Sequence, residues 1–377
     1  MSNDDVRDPA LAHRESARRA RRRRRRVKPE AEIVLLCNPR AGGRWRELAG
    51  ILDSVEARSA RRIVTDSVED VASALGDLEA DTKLICVYGG DGTVQRVLDR
   101  MTASELEGVR LALLGGGTMN VTSRWLGFSR NAVANFRHVV RAYRSGELLH
   151  RELPILEVQA GDDFYRCFTF GMGPIVRLLD AYERGNKGKI AALGMAARAV
   201  TAAWLKWPDA TRQLLEPMRA GVVLDGEPLP YDEFTALFAN VTGQINPGVE
   251  PFAETRTRDS FYVAAYAVSA REIATALPML IRGWLPVDVG AAIARAVRGR
   301  RPDDEPRGLP KDPRYVNRVA GELVIETEER LYTVDGEVLE AAPGASIRVT
   351  IGPSLKLAVG PGIPERVRLV AETALLG

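Results

Sequence analysis

The chain has 377 residues, 45% of them hydrophobic, with a formal net charge of +3. A chain of that length buries roughly three quarters of its unfolded surface, so folding requires neither a metal nor a disulfide staple. Cys37, Cys86 and Cys167 stand far apart without CxxC spacing, which argues against a zinc site or disulfide framework and fits a reducing compartment.

In chain order, the first feature is a basic arm. Residues 1–28 hold eleven arginines and lysines against four acids, a net of +7, which leaves the remainder at −4. So few apolar residues cannot drive folding, and residues 1–30 are expected to form a disordered tail. The arm reads as a solvated tail or as a contact to an anionic membrane surface, where each basic residue contributes about 1 kcal/mol. Nucleic acid would gain from counterion release, but no aromatic side chain interleaves the arginines to stack a base, so no specific nucleic-acid partner is expected. No apolar signal segment opens the chain. Its longest apolar runs, such as Ile273–Ile281, fall short of the ~18 residues of a membrane span. The expectation is a cytoplasmic protein, soluble or peripheral at the inner membrane face.

Residues 31–150 alternate short apolar runs with helical patterns. Ile33–Cys37 reads as a strand ending in the turn Asn38-Pro39-Arg40-Ala41-Gly42-Gly43, followed by a helix over Arg44–Ala57. Arg62–Thr65 reads as a second strand, with a helix from Ser67. Leu84–Tyr88 is a third, entering Gly89-Gly90-Asp91-Gly92-Thr93 and then a helix whose face carries Val94, Val97, Leu98 and Met101. Arg110–Leu114 is a fourth, entering Gly115-Gly116-Gly117-Thr118-Met119-Asn120. Strands alternating with helices imply a Rossmann-like parallel sheet with ligands beyond its carboxyl edge. Three glycine-rich turns therefore meet at one edge. Glycine lets backbone approach a phosphate, and a helix start offers free N–H groups and a positive dipole end. Asp91 among phosphates would be repulsive without a divalent cation between them, so the pattern points to a nucleotide with magnesium. No P-loop or GxGxxG motif is present.

Beyond residue 150 the period changes to two. Ile155–Val158, Tyr165–Phe170, Val222–Leu224, Phe234–Val241, Phe261–Val268, Leu323–Thr327, Leu331–Val334 and Ile347–Ile351 read as short strands of an antiparallel β-sandwich over residues 151–360. Lys187–Lys206 and Ala270–Arg300 read as basic amphipathic helices, either core-facing or interfacial. A loop with Pro302, Pro306, Pro310 and Pro313 interrupts the strands, and residues 361–377 end in a helix expected to dock on the first domain. Asp-Gly-Glu occurs at Asp225–Glu227 and Asp335–Glu337, and Asp-Gly between strands is first of all a hairpin signal. His13, His138 and His150 lie in the polar tail or in or beside a charged helical stretch, which leaves acid–base chemistry to carboxylates.

Asn38-Pro39-x-Ala41-Gly42, then Gly89-Gly90-Asp91-Gly92-Thr93, then Gly117-Thr118-x-Asn120 resembles the catalytic domain of the diacylglycerol kinase and sphingosine kinase superfamily, its bacterial lipid kinases in particular. The resemblance implies two domains with a cleft between them, using ATP and Mg²⁺ to phosphorylate a lipid hydroxyl. It implies a nucleotide pocket of Asn38, Arg40, Gly42, Gly43, Gly89, Gly90, Asp91, Gly92, Thr93, Gly117, Thr118 and Asn120. It makes Asp335 the general base, with Asp91 the fallback, assigns metal contacts to Asp91 and Glu337, leaves Asp225 a plain turn, and places a glycine turn at Gly171-Met172-Gly173 facing the cleft. Val121 and Gln95-Arg96 depart from the Asp and Asn-Glu that many members carry there. The alternatives are a small-molecule kinase such as an NAD kinase, which shares the Gly-Gly-Asp-Gly-Thr loop, and a non-catalytic module binding anionic membrane or nucleic acid.

Overall fold

The computed structural model describes residues 30–40, 45–65, 68–76, 78, 81–117, 120–184, 214–245, 249–298 and 309–362. The basic arm, Gly42, Gly43, Thr118, the expected helix over Lys187–Lys206, Pro302, Pro306 and the terminal helix lie outside the described residues.

The first half runs β1 (Glu30–Cys37), α1 (Trp45–Leu52), a 3-10 turn (Glu56–Ser59), β2 (Ala60–Val64), α2 (Val68–Gly76), β3 (Leu84–Tyr88), α3 (Asp91–Arg100), α4 (Ala103–Gly108), β4 (Arg110–Leu113), α5 (Val121–Trp125) and α6 (Ala132–Ser145). β1, β3 and β4 read as unbroken apolar runs because helices cover both faces of a parallel sheet, and Ile33–Cys37 and Leu84–Tyr88 are buried throughout. The strand order is 2-1-3-4, all parallel. Order reverses between β1 and β3, the switch point beyond whose carboxyl ends open α/β sheets bind ligands. Asn38 and Gly89 leave the sheet there. The expected helix Arg44–Ala57 instead stops at Leu52. Ser54 turns its hydroxyl onto the Ile51 carbonyl (2.6 Å) and accepts the Ala57 N–H (3.2 Å), a local pairing that competes with the helix.

The second half runs β5 (His150–Ala160), β6 (Asp163–Cys167), β7 (Thr169–Met172), α7 (Pro174–Arg184), β8 (Met218–Leu224), β9 (Glu227–Pro228), β10 (Glu233–Phe234), β11 (Ala236–Asn240), β12 (Phe261–Tyr266), α8 (Ala270–Leu280), α9 (Val289–Arg298), β13 (Tyr315–Ala320), β14 (Glu322–Thr327), β15 (Leu331–Val334), β16 (Glu337–Glu340) and β17 (Ile347–Ala358). The fold is α/β, as expected, with an antiparallel sheet in the order β13-β12-β11-β7-β15-β16 facing a larger sheet. That larger sheet joins the two halves. β17 pairs antiparallel with β5 and β14, and its end pairs parallel with β4 through Lys356 and Leu357.

Three further local expectations are corrected. Phe234–Val241 is two strands in different sheets, separated at Thr235. Ala270–Arg300 is two helices, broken after Leu280 near Gly283, whose φ of +69° suits only glycine readily. Gly171-Met172 is no turn but the end of β7, where a Cβ on Gly171 would press Phe238 and Thr333 at 3.1 Å; only Gly173, at φ +97°, turns.

Candidate active site

The three glycine-rich turns are stitched to one another by backbone. The Asn38 N–H donates to the Tyr88 carbonyl (2.9 Å), and its Nδ2 donates to Thr93 Oγ1 (3.0 Å). Asn38 Oδ1 accepts the Arg40 N–H (2.9 Å), while Arg40 itself is exposed and is not among the residues that line the cleft of Asp91 and Asp335. Gly116 N–H donates to the Gly89 carbonyl (2.7 Å), and a Cβ on Gly117 would sit 2.6 Å from Gly90 Cα. Glycine is required where two main chains pass that closely.

Asn120 closes the third turn from a left-handed conformation, φ +49°. Its Oδ1 accepts the Gly117 N–H (2.8 Å), its Nδ2 donates to the Gly117 carbonyl (2.7 Å), and its backbone N–H donates to Asp91 Oδ2 (3.2 Å). Asp91 opens α3, with Gly90 extended at the N-cap. The Asp91 carboxylate is thus held by the third turn.

From the other half of the chain comes Asp335, in the hairpin between β15 and β16. Its φ of +49° and that of Gly336, +88°, give the paired positive values of a type I′ turn. Asp335 Oδ1 accepts N–H groups from Phe168 (3.0 Å) and Thr169 (2.8 Å), and Oδ2 accepts Phe168 at 3.2 Å. The residue as a whole is half-buried, but these bonds hold its carboxylate inward, away from water. That loss of hydration, then the charge of Asp91, push its pKa up to about 8 against the pull of the two backbone donors. Asp91 and Asp335 line one cleft with Gly89, Gly90, Asn120 and Phe168.

Glu337 starts β16, and its Oε1 lies against Gly92 so closely that a Cβ there would collide with it. Asp99, two turns along α3, is pushed up to about 6, chiefly by burial, with the Arg166 backbone N–H pulling the other way and Glu337 adding to the rise. Asp91, Asp335 and Glu337 therefore gather at the start of α3, with Asp99 two turns further along it. Among the described residues no three His, Cys, Asp or Glu side chains gather as a metal cage. The donor set nonetheless fits magnesium, which takes one or two carboxylates and completes its shell with phosphate and water. Mutual repulsion between Asp91 and Asp335 is the strain such a cation would relieve.

The structure brings together Asn38, Gly89, Gly90, Asp91, Gly92, Thr93, Gly117, Asn120, Asp335 and Glu337, which the sequence reading assigned to the site. It adds Phe168, Thr169 and Asn240. Asn240 is fully buried and donates through Nδ2 to Thr169 Oγ1 (2.7 Å), steadying the strand end that holds Asp335. Nothing in the sequence marks these three, because Phe168 and Thr169 contribute backbone that any residue supplies.

Residues 32–147 match the model of the diacylglycerol kinase catalytic domain. The whole fold is similar to that of a candidate diacylglycerol kinase from Bacillus anthracis str. Sterne, with a TM-score of 0.58 at 19% identity over 90% of this chain and 100% of that one. It is likewise similar to a diacylglycerol kinase from the same organism, with a TM-score of 0.55 at 20% identity over 89% of this chain and 99% of that one. A comparison with curated protein sequences gives no significant match. Residues 32–147 thus belong to the diacylglycerol kinase catalytic domain family, set in a two-sheet fold shared with these bacterial proteins.

Proposed function

We propose that the chain is a lipid kinase that moves the γ-phosphoryl group of ATP onto a hydroxyl of a lipid such as diacylglycerol or a sphingoid base. One observation carries the reading: Asp335, distant in sequence, shares a cleft with Asp91 and the glycine turns of a kinase-family domain. The triphosphate lies along Gly89–Thr93 and Gly117–Asn120, where backbone N–H groups and the start of α3 meet its charge. Mg²⁺, when bound, supplies charge neutralisation, with Asp91 and Glu337 as its protein donors.

Asp335 takes the acceptor's proton through Oδ2, the oxygen with the single and longer backbone bond. As the proton leaves, the lipid oxygen forms its bond to the γ-phosphorus, the bond to the bridging oxygen breaks, and ADP departs. A carboxylate whose pKa is pushed up to about 8 is a stronger base near neutrality than an ordinary one. Much of the rate comes from positioning and charge neutralisation, so these few parts suffice.

The test is labelled ATP with a panel of diacylglycerol, sphingosine, ceramide, phosphatidylglycerol and NAD. Lipid phosphorylation that Asp335→Ala lowers by roughly 10²–10⁴ supports the proposal. Phosphate transfer to NAD in place of any lipid, or turnover indifferent to Asp335, overturns it.

A further inference from the structure

Ten large apolar side chains are exposed among the described residues, and six of them come from one stretch: Met279, Trp284, Val289, Ile293, Val297 and Leu309. Single exposed apolar residues are ordinary, but a concentration of them marks a docking surface. Val289, Ile293 and Val297 recur every fourth residue along α9 and form one stripe, 65%, 59% and 82% exposed, with Trp284 at 62% beside its start. The helix is tied to the body at its base, by Asp288 N–H to the Pro310 carbonyl (2.8 Å) and Asp312 N–H to the Pro286 carbonyl (2.9 Å).

The charge of this stretch opposes that of the folded chain. Residues 279–298 carry Arg282, Arg295 and Arg298 against Asp288, a net of +2, where residues 29–377 together sum to −4. An apolar helical stripe with a tryptophan just ahead of it and arginines in the same stretch has the composition of a segment lying in a bilayer interface.

Its place in the fold connects it to the cleft. Thr169 N–H holds Asp335, Thr169 Oγ1 accepts from Asn240, and Asn240 Nδ2 also reaches the Gln244 carbonyl (3.1 Å). Gln244 bonds the Glu250 carboxylate, and Glu250 N–H donates to the Ile281 carbonyl (2.9 Å) at the end of α8. Trp284 follows three residues later. The apolar surface thus hangs from the end of the antiparallel sheet that presents Asp335.

We propose that this stretch docks the protein on an anionic phospholipid bilayer, with Trp284 and the α9 stripe entering the interface, so that a lipid hydroxyl meets the cleft without leaving the membrane. The purpose assigned to the surface rests on the lipid-kinase reading; the binding itself does not.

The experiment is co-sedimentation of the full chain with vesicles of phosphatidylglycerol and phosphatidylcholine, against phosphatidylcholine alone. The double variant Ile293→Asp/Val297→Asp changes two exposed positions, and a thermal melt checks that it folds as the parent does. Expected are binding to the anionic vesicles, a fall of at least about tenfold in partition for the variant, and a blue shift of tryptophan emission that Trp284→Phe diminishes. A chain lacking residues 1–29 should keep the part of the binding that depends on the stripe. Equal binding by the folded variant overturns the proposal, as does a wild-type dimer that the variant dissolves, which would make the stripe a subunit interface. Activity on short-chain, water-soluble analogues of diacylglycerol, sphingosine, ceramide and phosphatidylglycerol reports on the other reading. Its absence with stripe-dependent vesicle binding defeats the kinase assignment alone; its presence with stripe-independent binding defeats the docking alone.

Discussion

The two Asp-Gly-Glu tripeptides are the same object until the fold is known. Asp225 has φ +49° and Gly226 +82°, and Asp225 Oδ1 accepts N–H groups from Gly321 and Glu322, both at 2.8 Å. Asp335 repeats that chemistry turn for turn, so the hairpin reading of both was right and did not exclude a catalytic one. What separates them is the surroundings: Asp225 is exposed, while the carboxylate of Asp335 faces Asp91. Asp225→Ala should therefore cost about 1 kcal/mol of stability in denaturant melts and leave activity unchanged. Asp335→Asn should keep both backbone bonds through its remaining oxygen, abolish proton acceptance, and change how stability responds to pH. An acid raised from its ordinary 3.8 to about 8 leaves the folded state holding more protons than the unfolded one between those values. Stability of the wild type then falls as pH rises from about 4 to about 8, and the Asn variant should lose that slope. Melts at pH 5 and pH 8 that show the same change for both proteins would refute the assignment. Asn38, Asp91 and Asn120 were legible because glycine-rich turns announce themselves; Phe168 and Thr169 were not, since their contribution is main-chain N–H.

Elements were legible where local chemistry decides and illegible where tertiary packing does. The four parallel strands stand within two or three residues of their sequence-read positions; β1, β3 and β4 are apolar runs buried on both faces that need no partner to be recognised, while the edge strand β2 alternates buried and exposed residues. α4 was overlooked although its signal is local: Thr102 and Glu105 form a capping box in which each side chain bonds the other's backbone N–H. Thr102→Ala should lower stability by about 1 kcal/mol with activity intact, read by melts and turnover together. The split of Phe234–Val241 between two sheets could not be read, because both pieces are apolar and only the pairing of Thr235 N–H with the Tyr266 carbonyl (2.9 Å) sets the corner. The glycine turns make a sharper comparison. At Gly92 a new methyl meets the far end of a mobile side chain, Glu337, whereas at Gly117 it meets the backbone of Gly90. Gly92→Ala should fold normally while displacing the Glu337 carboxylate and raising the magnesium concentration needed for activity. Gly117→Ala should push two turns apart and lower both stability and nucleotide affinity. Equal behaviour of the two variants would mean that the close approach of the turns is unimportant.

At the scale of the molecule, the expected picture of a parallel domain followed by a sandwich understates how the halves are joined. The strand expected over Ile347–Ile351 is the opening of β17, twelve residues long, which runs from the antiparallel region to β4 at the edge of the parallel one. Its continuation stays on the first half: Val359 N–H donates to the Leu149 carbonyl (3.1 Å), Gly360 N–H to that of Leu126 (2.8 Å) and Gly362 N–H to that of Gly127 (3.0 Å). A Cβ on Gly360 would fall 2.5 Å from the Gly127 carbonyl oxygen, so the chain passes as close as backbone allows. Period-two patterning marks the strand but says nothing of its neighbours, and a parallel partner more than two hundred residues earlier leaves no local trace. Leu355, Leu357 and Ala358 are fully buried in the same core as Leu111 and Leu113, so removing β17 would open the β4 edge and uncover apolar surface in both halves at once. The halves should accordingly unfold together. Tryptophan fluorescence, far-UV circular dichroism and ATP-dependent activity should trace one coincident transition in urea, and a chain ending at residue 346 should fail to give a cooperative melt. Two separated transitions, with the first half melting independently of residues 347–362, would show that the cleft is a junction of autonomous domains and that Asp335 is not held against Asp91 by a shared sheet.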